Sequence, residues 1–85
     1  MKVKVLFFAT LREQLGRSQE DVELPKEIDS VEKLRTFLLA RGGAYEKIFS
    51  GKILVRAAVN QDMVQPGAPI KAGDEVAFFP PVTGG

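Results

Sequence analysis

The sequence predicts an α+β domain: a mixed sheet of about four to five strands packed on one main helix, ending in a flexible C-terminal Gly-Gly tail. Three observations carry that prediction. Period-two alternation occupies both ends of the chain, and the clearest helical periodicity lies between them. The last apolar stretch runs straight into Pro80-Pro81. The 85 residues, 45% of them hydrophobic, suffice for one modest core, so one domain is expected.

Residues Lys2 to Ala9 read as the first strand, with Val3, Val5 and Phe7 on one face and Lys2, Lys4, Leu6 and Phe8 on the other. The second face begins charged and ends apolar. Its lysine end is suited to water, whereas Leu6 and Phe8 call for a cover. A later loop or strand of this chain can supply it, or a binding partner can. Thr10 to Gln19 reads as a loop turned by Gly16. A second strand, about Glu20 to Leu24, puts Val22 and Leu24 inward and stops at Pro25, which cannot donate to a ladder. Two strands joined by a short loop pair most simply as an antiparallel hairpin.

The main helix follows. Asp29 or Ser30 is its N-cap, and Asp29 with Glu32 has capping-box spacing. Val31, Leu34, Phe37 and Leu38 recur at helical spacing and bury one stripe. On that reading Phe37→Ala costs ~3–5 kcal/mol. Arg41 falls in the last turn, complementing the helix dipole, and Gly42-Gly43 stops the helix. Ala44 to Ser50 forms a short second helix with Tyr45, Ile48 and Phe49 inward.

Ile53 to Asn60 reads as the third strand, with Val55, Ala57 and Val59 inward and Arg56, Ala58 and Asn60 outward. Gln61-Asp62 turns the chain into a brief strand at Met63-Val64. Pro66-Gly67 and Pro69 mark a loop, and Lys71 to Asp74 turns into the last strand, Glu75 to Phe79. There Val76 and Phe78 face inward, and Glu75, Ala77 and Phe79 outward. This order of elements is that of the β-grasp fold, whose first and last strands are central neighbours. Phe8 and Phe79 are then expected close together on the outer sheet face, where a binding hot spot belongs.

The folded domain is read as residues 1–79 and the tail as 80–85. Pro80 and Pro81 favour an extended backbone that holds the tail off the body. Six extended residues reach roughly 20 Å. Val82 and Thr83 lead to Gly84 and Gly85, which carry no side chain and suit a narrow channel. The one reactive group at the tip is the Gly85 α-carboxylate.

Composition narrows the function classes. There is no cysteine, so disulfides and thiolate metal sites are excluded. There is no histidine, so the usual general base and commonest metal ligand are missing. Twelve basic and eleven acidic residues give a net charge of +1, without the clustered basic excess of a nucleic-acid binder. No apolar run has membrane-spanning length and no signal-peptide pattern follows Met1, so no membrane partner and a cytoplasmic location are expected. No metal-ligand spacing appears. Glu23 with Glu27 and Asp74 with Glu75 read as solvated carboxylates, and Asn60 and Asp62 as turn residues.

At neutral pH the Gly85 carboxylate is an anion and a poor electrophile. A partner must activate it, most simply by converting it with ATP into an acyl-adenylate open to nucleophilic attack. With neither His nor Cys the body assembles no conventional catalytic triad or thiol catalyst. The chain therefore reads as a substrate and carrier.

The ending Phe78-Phe79-Pro80-Pro81-Val82-Thr83-Gly84-Gly85 resembles that of the small, sulfur-carrying subunits of molybdopterin synthase, a ubiquitin-like family. Val5 to Ala9 with Leu11-Arg12-Glu13, and Ala58-Val59-Asn60 followed by Gly73 to Val76, are similar to that family as well. The resemblance implies no permanently bound cofactor. It implies instead an E1-like adenylating enzyme that spends ATP on Gly85, and a sulfurtransferase whose sulfur turns the adenylate into a thiocarboxylate. The tail then enters the large synthase subunit, in a heterotetramer, to hand sulfur to cyclic pyranopterin monophosphate. Phe8, Phe79 and Arg12 are the expected partner-binding residues, with Lys52, Arg56 and Lys71 as candidates for a polar rim. A sulfur carrier for thiamine or tRNA thiolation, and a ubiquitin-like modifier joined through Gly85 to lysines, remain the alternatives.

Overall fold

The computed structural model describes residues 1–81. Its first strand, β1 (Lys2–Phe7), keeps the alternation of the sequence: Val3, Val5 and Phe7 are fully buried, and Lys2 and Lys4 are exposed. The stretch read as a loop instead holds a short helix, α1 (Thr10–Leu15), which buries Leu11 and ends on Gly16. Gly16 takes a left-handed φ of 74° that glycine tolerates without cost, and its N–H donates to the Arg12 carbonyl. β2 (Gln19–Glu23) then returns antiparallel to β1, with Val3 opposite Val22.

α2 (Val31–Leu39) is capped by Ser30, whose side chain accepts from the Lys33 N–H at 3.2 Å. Asp29 forms no capping box; it pairs with the Lys33 ammonium at 3.1 Å. The N–H groups of Val31 and Glu32, orphans of the first turn, donate to the Ala68 and Pro66 carbonyls. The loop after β4 is thereby tied across the start of the helix. Val31, Leu34 and Leu38 form the buried stripe, but Phe37 is only half-buried. α2 stops at Leu39, so Arg41 lies beyond its last turn and pairs elsewhere. Gly42 turns the chain at φ 76°, and Gly43 already begins α3 (Gly43–Phe49). α3 buries Ile48 and Phe49, and the Phe49 ring meets Phe78 edge-on at 5.0 Å.

β3 (Arg56–Val59), β4 (Asp62–Val64) and β5 (Glu75–Phe79) complete a five-stranded sheet in the order β2-β1-β5-β3-β4. β1 and β5 are parallel central neighbours, as expected, and the other pairs are antiparallel. β3 is shorter than the predicted Ile53 to Asn60. Val3, Val5 and Phe7 of β1, with Val76 and Phe78 of β5, fill the inner face under the helices.

The hairpin between β3 and β4 turns on Asn60 and Gln61, with φ of 50° and 73°, the left-handed pair of a two-residue hairpin turn. Asn60 does more than turn. Its amide donates to Asp74 at 3.1 Å, and its carbonyl oxygen accepts from the Glu75 N–H at 3.0 Å. Asp74 also accepts from the Lys71 N–H at 2.9 Å and is buried. The expectation of a solvated Asp74 is thus corrected: Asn60, distant in sequence, satisfies a carboxylate that packing has taken out of water.

Candidate functional site

β5 ends where its hydrogen-bonding capacity ends. Phe78 lies opposite Phe7 of β1, and Phe79 opposite Arg56 of β3. Pro80 then has no N–H to donate, so neither ladder can continue, and Pro80 and Pro81 leave the sheet in irregular, half-buried conformation. The root of the tail is therefore fixed by backbone chemistry. Val82, Thr83, Gly84 and Gly85 lie outside the described residues.

Beside that root the outer face of the sheet is apolar. The strand registers align Leu6 with Ala77, Ala77 with Ala58, and Ala58 with Met63, one row across four strands. Phe8 and Phe79 extend the patch on the tail side, and the Phe8 N–H donates to the Phe78 carbonyl at 3.2 Å. These six side chains, with Gln61 and Glu75 at the margin, line a shallow depression of about 430 Å³. Phe8 is 46% exposed and Met63 63%, so no later segment among the described residues covers the patch. Of the two covers open to Leu6 and Phe8, no described loop or strand supplies the first. On the far side of the apolar row the face is charged, with Lys4 opposite both Asp21 and Glu75.

The structure brings Phe8 and Phe79 together as predicted. It sets Arg12 apart: that residue is exposed on α1 and does not line the depression. Arg56, directly across from Phe79, stands at the rim. Reading the sequence alone missed Met63, Ala58 and Ala77 as members of the patch. Their common signal is small or apolar residues at outward positions of three different strands, which only the register converts into one row.

The lining of this patch is chiefly apolar, with Gln61 and Glu75 its polar members, a surface chemically suited to binding. Among the described residues no cluster of three or more His, Cys, Asp or Glu could hold a metal ion. No helix among them is long and apolar enough to cross a membrane. The most elaborate polar cluster lies elsewhere, where β2 meets α3. Glu20 accepts from Arg41 at 2.6 Å and from the Tyr45 hydroxyl at 2.9 Å, and Arg17 approaches at 3.3 Å. The Arg41 guanidinium also lies 5.0 Å over the Tyr45 ring. Burial alone raises the Glu20 pKa, but the hydrogen bonds from Arg41 and Tyr45 and the charges of Arg41 and Arg17 outweigh it, leaving the carboxyl below its ordinary range.

A β-grasp sheet that delivers two prolines from beside an exposed aromatic patch places this molecule in the ubiquitin-like class of proteins. The pattern of the ThiS family matches residues 5–85. The chain is 45% identical over 84 residues to the molybdopterin synthase sulfur carrier subunit of Escherichia coli, covering 98% of this chain and 99% of that protein. On these matches the chain belongs to the ThiS family, among the molybdopterin synthase sulfur carrier subunits. The same fold is seen in a putative molybdopterin converting factor, subunit 1, from Pyrococcus furiosus, at 34% identity and a TM-score of 0.79 over 96% of this chain and 99% of that one. It recurs in small archaeal modifier protein 1 of Haloferax volcanii, at 26% identity and a TM-score of 0.76 over 95% and 98% of the two chains.

Proposed function

We propose that this protein carries sulfur for molybdopterin synthesis as a thiocarboxylate on Gly85. The observation that carries the reading is the full-length similarity to the Escherichia coli sulfur carrier subunit. The apolar outer face at the root of the tail supports it, because a carrier that does no chemistry itself must be gripped by enzymes that do.

In the proposed route an oxygen of the Gly85 carboxylate attacks the α-phosphorus of ATP on an adenylating enzyme and displaces pyrophosphate. Hydrosulfide then attacks the acyl carbon and expels AMP, leaving a thiocarboxylate on Gly85. Where the sulfur arrives instead as a sulfurtransferase persulfide, the acyl disulfide first formed is cleaved by a thiol, which ends in a disulfide. The patch around Phe8 and Phe79 seats the body on the large synthase subunit, and Pro80-Pro81 direct the tail toward its pterin substrate. Arg12 would serve a more distant part of that contact.

The test is an intact mass of the protein after incubation with an adenylating partner, ATP and a sulfide source. The expected result is a gain equal to one oxygen replaced by one sulfur, abolished by deleting Gly85. Adding a residue after Gly85 is expected to leave the fold intact and abolish sulfur transfer in a coupled synthase assay. Retained transfer in either tail variant would overturn the terminal-carboxylate mechanism.

A second reading is favoured by one observation, the likeness to small archaeal modifier protein 1. In that reading the same adenylate ends as an amide on target lysines. Higher-mass conjugates in cells, lost with Gly85, would mark it.

A further inference from the structure

We propose that the groove between α2 and the residues leading into β3 is a second docking site, for a segment of a protein partner that carries carboxylates and apolar side chains. β4 covers β3 only as far as Ala57, which lies opposite Val64. The chain then leaves the sheet, because the Pro66 carbonyl is held at 2.8 Å by the Glu32 N–H of α2. Only Arg56, the first residue of β3, and the irregular Leu54 and Val55 before it then lack a β4 residue opposite them at this edge of the sheet.

The edge borders a groove of about 340 Å³ whose walls include Val31, Arg35, Leu54, Arg56, Met63 and Val64. Leu54 and Met63 are 62% and 63% exposed, a large apolar exposure for two residues flanking one groove. Arg35 and Arg56 stand over it from α2 and β3, and no Asp or Glu lines it. Neither arginine forms an ion pair among the described residues. The start of α2 adds no anion site of its own, since the Val31 and Glu32 N–H groups are already taken. The attraction therefore comes from two guanidinium groups, which favour carboxylates and suit bidentate contact. The apolar wall and the two arginines together define the occupant: a segment that carries both aliphatic side chains and carboxylates. The site shares Met63 with the patch around Phe8 and Phe79 but does not involve the Gly85 chemistry.

Titration of the isotope-labelled full chain with a capped pentapeptide of alternating aspartate and isoleucine, followed by amide chemical shifts, tests the proposal. Shifts are expected at Leu54 to Arg56, Met63 and Val64, and a matched peptide with lysine for aspartate is expected to leave them unmoved. The doubly exchanged Arg35→Glu, Arg56→Glu protein should bind the aspartate peptide about fivefold more weakly or worse and accept the lysine peptide. Both positions are at the surface, so a dispersed spectrum will report that the variant is folded. No localised shift, equal response to the two peptides, or shifts centred on Phe8 and Phe79 would overturn the proposal. Shifts that depend on protein concentration without peptide would identify the occupant as a second copy and overturn it too.

Discussion

The two faces of one sheet are made from alternating residues of the same strands, yet they do different work. In β1 the inward Val3, Val5 and Phe7 are fully buried, while the outward Leu6 is half-buried and Phe8, one residue past the strand, is 46% exposed. In β5 the inward Phe78 is fully buried against Phe7 and Phe49, while the outward Phe79 keeps part of its ring in solvent. Two adjacent phenylalanines thus sit in opposite environments. The inner one has its partners within the chain, and the outer one lies on the face proposed to bind another protein. An aromatic side chain left half-exposed forgoes stabilisation that burial would give, so its place on the outer face argues for binding.

The sharpest way to break this symmetry is to truncate the two phenylalanines separately. Phe78→Ala removes a ring that packs on Phe7 and Phe49, and is expected to cost ~3–5 kcal/mol in denaturant unfolding, a large share of a small domain's stability. Phe79→Asp is expected to cost less stability than Phe78→Ala, because Phe79 keeps part of its surface in solvent and the new carboxylate lies opposite Arg56. Its effect should appear in binding to the large synthase subunit, weakened by ~2 kcal/mol, or roughly thirtyfold. An unchanged dissociation constant would remove the outer face from the interface. A loss of folding comparable to that of Phe78→Ala would show that the two faces are not separable.

Phe37 lies between these extremes. Helical spacing assigned it to the buried stripe, but it sits at the edge of the α2 contact and is only half-buried. Phe37→Ala is accordingly expected to cost ~1–2 kcal/mol, measured by the same unfolding experiment. A cost as large as that at Phe78 would mean that the stripe is wider than its exposure indicates.

Legibility in the sequence follows the range of the interactions concerned. Alternation in β1 and β5 was readable because each strand carries its own pattern, and the β-grasp order followed from the sequence of elements. The pairing of Phe8 with Phe79 then came from topology alone. α1 was missed because six residues hold less than two turns, although Leu11 and Leu15 at helical spacing with Gly16 beyond them were a usable signal. The burial of Asp74 was illegible, since it depends on an asparagine amide 14 residues away. The same holds for Glu20, whose partners Arg41 and Tyr45 are 21 and 25 residues distant. Arg41 was assigned to the end of a helix from local rules, and a long-range carboxylate claimed it.

That carboxylate supplies the smallest of the expected effects, one that neither face of the sheet controls. The folded state holds the Glu20 pKa below its ordinary value of 4.5, so the native protein binds this proton less readily than the unfolded chain does. The contribution to stability is therefore complete above the ordinary value and is lost as pH falls through the lower folded value. Its size should be about 1 kcal/mol, because Arg41 is partly exposed and solvent screens the pair. Glu20→Gln keeps one acceptor oxygen, for Arg41 or for Tyr45 but not both, and has no proton to gain. The unfolding midpoint of the wild-type chain should fall toward that of Glu20→Gln as pH is lowered through this window, the two curves meeting at its acid end. Parallel curves would show that the charge on Glu20 contributes nothing beyond its hydrogen bonds, and that β2 is held to α3 by geometry alone.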